Sequence, residues 1–147
     1  MARWARRHDS DEGSAAIEAA IVLPALIMFL CMAIAGGRIV TSGAKIDSAA
    51  EDAAREASIH RTAAAAQSAA QSAAAESLND QGITCASTSV SIDTGGLSVP
   101  VGQVGTVTVT VTCTVNLADL LLPGLPGAKT LTSTATSVVD QYRQRGD

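Results

Sequence analysis

Apolar and polar positions fall into three successive patterns along the chain, and each predicts a different element. From Ala19 to Gly37, "AAIVLPALIMFLCMAIAGG", no residue is charged. That run is close to the roughly 20 apolar residues needed to cross the hydrocarbon core of a bilayer as a helix. The next stretch, "GAKIDSAAEDAAREASIHRTAAAAQSAAQSAAAESLND", has no proline, no glycine after Gly43, and a composition dominated by alanine with Glu, Gln and Arg. Such residues favour helix strongly. Ile46, Ala50, Ala53 and Ala57 recur at three and four residues, so one shallow face of small side chains can be buried. After Asn79 the period shortens to two. "QVGTVTVTVTCTV" alternates Val107, Val109, Val111, Cys113 and Val115 with Thr106, Thr108, Thr110, Thr112 and Thr114, the pattern of a half-buried strand. "ITCASTSVSI" and "KTLTSTATSVV" read as two further strands, set off by turn residues in "NDQG", "DTGG" and "LPGLPG".

These patterns predict an α+β chain: a long N-terminal helix, membrane-spanning in its first half and Ala-rich in its second, packed on a small antiparallel sheet of about three strands. An uninterrupted helix from Ala15 to Leu78 would be about 100 Å long at about 1.5 Å per residue, so a bend is expected, with Gly36, Gly37 and Gly43 as the places for it. In the first strand the apolar parity switches between Ile83/Cys85 and Val90/Ile92, which calls for a bulge or a late strand start. The repeat in "AAQSAAQSAAAES" is low-complexity helix rather than a solenoid.

Composition narrows the function classes. One Trp, one Tyr and one Phe exclude a large aromatic core. A net charge of -4, with no basic cluster beyond "RWARR", argues against a nucleic-acid partner, since phosphate binding needs a basic face. Arg3, Arg6 and Arg7 precede the apolar run, and Arg38 and Lys45 follow it, a weak bias towards a cytoplasmic N-terminus with the rest of the chain extracytoplasmic.

Glu18 decides how the apolar run is read. A carboxylate in lipid costs at least about 2.5 kcal/mol, so one that persists is normally paired or lines a functional surface. A secretory signal peptide cut after Ala35, at the A-x-A of Ala33 and Ala35, would have to carry Glu18 and Pro24 in its apolar part. A lipoprotein site at Cys31 fails on Phe29 and Leu30, and "RRHDSDE" lacks the apolar residues that twin-arginine export expects. A further reading places Glu18 at the headgroup level, counting the span from Ala19. "GSAAIE", by contrast, resembles the processing site of type IV prepilins, and "GSAAIEAAIVLPALIMFL" closely resembles the start of the TadE-like proteins of tight-adherence pilus systems.

That resemblance implies a prepilin-type leader, 1–13, cut by a prepilin peptidase between Gly13 and Ser14. Glu18 then becomes the fifth residue of the mature chain and an assembly contact, meeting the new N-terminal amine of a neighbouring subunit. The implied partners are the membrane, other pilin-like subunits and the pilus assembly machinery. The implied location is the cytoplasmic membrane, or the pilus itself. The acidic "DSDEG" before the cut departs from the family's pattern. The apolar loop, Thr-rich strand and polar Tyr/Arg tail of residues 115–143 resemble the C-terminal half of the same family. Pro24 removes a backbone donor and is expected to kink the helix. The organisation that follows is a leader, 1–13; a transmembrane helix, 14–38; an Ala-rich extracytoplasmic helix, 39–80; and a small β-rich domain, 81–147. The alternative is a secreted, small β-rich binding module released after Ala35.

Cys85 and Cys113 both fall in the exported part, where an oxidising compartment permits a disulfide; the other reading is two free, buried thiols. A bridge would close a loop of about 30 residues and add roughly 3 kcal/mol. Cys31 is an ordinary lipid- or helix-facing residue. Leu117, Leu120, Leu121, Leu122 and Leu125 concentrate apolar surface in one loop, either a partner-binding surface or a helical turn closing the end of a small core. No catalytic constellation is present. His8 precedes the processing site, His60 stands alone, and Glu51 and Asp52 diverge around their helix. There is no phosphate loop, nucleophile elbow or CxxC, so no enzyme, metal, cofactor or small-molecule substrate is expected.

Overall fold

The computed structural model describes residues 9–120 and 126–142, with the side chains of residues 9–14 and of Leu120 outside the description. The chain forms two compact units, residues 1–37 and 38–147. Helix α1, Asp9–Ser58, contains the whole first unit's described part and continues into the second. It runs through Pro24, Gly36, Gly37 and Gly43, so the glycines do not interrupt it.

The interruption comes later. Helix α2 is a separate element, Ala63–Asp80, and the link between the helices carries neither glycine nor proline. The last turn of α1 tightens, with Ile59 N–H donating to Glu56 O and His60 N–H to Ala57 O. Thr62 then takes an extended conformation, and its hydroxyl accepts from the Ala65 N–H at 3.3 Å, starting α2 anew. The two helices turn back on each other as an antiparallel hairpin. Lys45 Nζ donates to Gln81 O at 2.7 Å near its open end, and Ser77 Oγ donates to Asp52 Oδ2 at 2.8 Å further along. At the end of α2 the Ile83 N–H reaches Leu78 O, the Gly82 N–H reaches Asn79 O, and Gly82 has φ of 67°. This is the left-handed helix stop that glycine adopts without steric cost.

Strands β1, Ser87–Asp93, β2, Gly105–Asn116, and β3, Ala128–Val139, make one antiparallel sheet in the order β1-β2-β3. The expected late start of the first strand is found: Ile83 and Cys85 lie before β1 and pack against the core from an irregular segment. The alternation in β2 sorts its two faces. Val107, Val109, Val111, Cys113 and Val115 are buried. Opposite them on β3 stand Ser137, Ala135, Ser133, Leu131 and Lys129. The other face is hydroxylic. Thr108, Thr110, Thr112 and Thr114 bond across to Thr136, Thr134, Thr132 and Thr130 at 3.0 to 3.3 Å, pairs that each contribute about 0.2–1 kcal/mol.

The core between the helix hairpin and the sheet is made of small side chains. On α1, Ile46, Ala49, Ala50, Ala53, Ala54 and Ala57 are buried, an arc of roughly 140° at about 100° per residue. This arc is wider than the stripe read from Ile46, Ala50, Ala53 and Ala57, as befits a helix with neighbours on two sides. On α2 the buried stripe is Ala66, Ala70, Ala74 and Leu78. Alanine lets backbones approach closely but buries little area per residue, and Cys113 is among the largest fully buried side chains. Its disulfide to Cys85, with Cα atoms 5.5 Å apart, ties the irregular segment before β1 to the middle of the sheet. Between β1 and β2 a short 3-10 turn, Gly95–Ser98, runs so close to β2 that a Cβ at Gly96 would meet the Thr106 backbone, and one at Gly105 would meet that of Gly96.

The apolar loop after β2 begins with one helical turn, α3, Leu117–Leu120, and the Leu117 N–H donates to Gly127 O at 3.0 Å. Leu121, Leu122 and Leu125 lie outside the described residues, as do Arg3, Arg6, Arg7, His8 and Arg143.

Candidate functional site

Residues 15–34 of α1 are exposed on every side. Ile17, Ile21, Leu26, Met28, Phe29 and Met32 are each more than half exposed, although they are the most apolar residues of the chain. Buried residues on a soluble amphipathic helix keep to one stripe; here the apolar surface goes all the way round. A patch of this extent fits an interaction surface or a membrane. This is the one described helix long and apolar enough to cross a membrane.

Glu18 lies one turn before Ile21 and Val22 on the same helix face, and all three are exposed. Among the described residues no hydrogen bond or ion pair engages its carboxylate. The Gly13–Ser14 bond lies in the second turn of α1, and its side-chain surroundings are outside the description. Pro24 lies between Glu18 and the middle of the apolar run, in a position where the Ala20 carbonyl loses its helical donor. Cys31 is exposed and unbonded. Thus Gly13, Ser14, Glu18 and Pro24 share one helix by virtue of sequence spacing, while Cys85 and Cys113 meet only through the fold.

His60 Nε2 approaches Glu56 Oε1 at 3.4 Å, one turn away on the same helix. Among the described residues no group of three His, Cys, Asp or Glu side chains is placed to hold a metal ion. What sequence reasoning passes over is a groove beside β3. Asp47, Glu51 and Arg55, spaced four apart on α1, face the strand's outer edge. The spacing is visible in the sequence; that the strand beside it ends the sheet is not.

Residues 15–34 thus form an exposed apolar helical stretch with one carboxylate, Glu18, and a small α+β unit follows. The model of the family described as TadE-like protein matches residues 13–55, from Gly13 to near the end of the buried alanine arc on α1. The match covers less than a third of the chain and is a similarity over that segment, to the same family that "GSAAIEAAIVLPALIMFL" resembles. Comparison with curated proteins and with solved structures gives no match.

Proposed function

We propose that this chain is a single-pass, pilin-like membrane protein that primes or joins assembly of a tight-adherence pilus. Its N-terminus is cytoplasmic, and the unit from Arg38 onward is extracytoplasmic. A prepilin peptidase cuts after Gly13, freeing the amine of Ser14. Glu18 then pairs with the corresponding amine of a neighbouring subunit as apolar helices pack together. The role is structural, acting through helix insertion and helix packing rather than through a reaction.

One observation carries this reading: an all-round exposed apolar stretch, residues 15–34 of α1, whose single carboxylate, Glu18, stands five residues after Gly13, inside the family match. In a medium of low dielectric a carboxylate without a partner is costly, and the new ammonium at the start of a neighbouring helix offsets that cost. The disulfide agrees with an extracytoplasmic location, since cytosolic thiols are kept reduced. The secreted alternative, released after Ala35, would leave the same disulfide and sheet but no anchor.

Processing is the first test. Gly13→Leu is expected to leave an uncut precursor, because the peptidase of this family requires a small residue before the scissile bond. Immunoblots of membranes from cells making the parent and the variant are the measurement. A product of mature size from the variant would contradict the assignment.

A further inference from the structure

The sheet ends at β3, a twelve-residue strand whose outward backbone groups have no backbone partner among the described residues. Proteins normally protect so long an edge with lysine, proline, a bulge or a covering element. From Thr130 to Val139 there is neither a charge nor a proline. Beside the edge runs a groove of about 430 Å³, with residues 133–137 of β3 as one wall and Asp47, Glu51 and Arg55 of α1 as the other. These three α1 side chains are exposed, and no ion pair joins them among the described residues. Two carboxylates against one guanidinium make the groove negative where it flanks the strand.

We propose that this groove is a strand-addition site for an extended segment of a partner protein that carries lysine or arginine at alternate positions. The segment's backbone pairs with β3, and its basic side chains meet Asp47 and Glu51. The spacings agree: one helix turn separates Asp47 from Glu51 by about 5–6 Å, and alternate residues of a strand are about 6.6 Å apart. Backbone pairing supplies affinity, and the flanking carboxylates supply selectivity. A second copy of this chain fits less well. Its β1 carries one charged residue, Asp93, and its β3 one, Lys129 at the strand's start, so neither edge brings paired cations to the groove. The inference rests on the unit from Arg38 to Asp147 alone and is independent of how the N-terminus is processed.

The test uses the full chain in detergent micelles and three fluorescently labelled, threonine-rich eight-residue peptides. One has lysines at two alternate positions, one has glutamates there, and one repeats the lysine peptide with N-methyl groups on alternate backbone amides. Fluorescence anisotropy is expected to show binding of the lysine peptide, weakened at least about tenfold by N-methylation or by replacing lysine with glutamate. A chain with Asp47→Lys and Glu51→Lys, its circular dichroism unchanged, should prefer the glutamate peptide instead. Three results would overturn the proposal: no binding to the parent chain, equal binding of the lysine and glutamate peptides, or indifference to N-methylation. Sedimentation showing the free chain already associated, and made monomeric by Ala135→Pro, would assign the edge to a second copy and overturn it as well.

Discussion

Glu18 is a charged group on an exposed apolar helix, with no polar partner among the described residues. If its partner is a neighbour's cleaved N-terminus, Glu18→Ala should insert into the membrane at least as well as the parent, since it removes a charge from the apolar segment. It should still be cut after Gly13. Assembly should fail or slow, and Glu18→Gln should fail comparably, because an amide keeps the shape without the charge-assisted contact. Counting pili on cells with matched membrane levels of each variant measures this; normal piliation in both would remove Glu18 from assembly. Gly82 gives a second prediction at this scale. Its φ of 67° closes α2, so Gly82→Ala should lower stability by about 1–2 kcal/mol in urea unfolding of the micellar protein. The proposed roles of Gly13 and Glu18 rest on their spacing along one helix, which the sequence alone displays. The expected bridge between Cys85 and Cys113 is present, and it joins the irregular segment before β1 to the central strand.

At the scale of elements, β2 is read almost residue by residue from its alternation, because burial on one face imposes a period of two. The end of α1 escapes such reading. Strong helix formers stand on both sides of Ile59–Thr62, and no proline or glycine interrupts them. What breaks the helix is tertiary: folding back lets the alanine faces of α1 and α2 be buried together with the sheet. The one local signal, Thr62 before an alanine run, is weakened by Ala65, where a capping box would place Glu or Gln. Thr62→Ala should therefore cost about 1 kcal/mol, seen as an earlier midpoint in urea unfolding. The alanine stripe allows a stronger test. Ala70 is fully buried, so Ala70→Leu should overpack the hairpin and cost about 1–3 kcal/mol, whereas a helix packed loosely by its small face would accept leucine without loss. Joint replacement of Cys85 and Cys113 by serine should cost about 3 kcal/mol by the same measurement.

At the scale of the whole molecule, the two units differ in what they expose. The first exposes its most apolar residues on all sides, and the second buries alanine and valine beneath a face of hydroxyls. The division at Gly37 is legible in the sequence as the end of the uncharged run, where the charged, Ala-rich part of α1 begins. The groove beside β3 is not legible, because an edge is defined only once strand order is known. If the first unit is a membrane helix freed by prepilin-type processing, the mature N-terminus is Ser14. N-terminal sequencing of the membrane-associated protein purified from cells is expected to begin at Ser14, followed by Ala15, Ala16, Ile17 and Glu18. A product beginning at Gly36 would contradict the account, identifying a signal peptide and a released β-rich module.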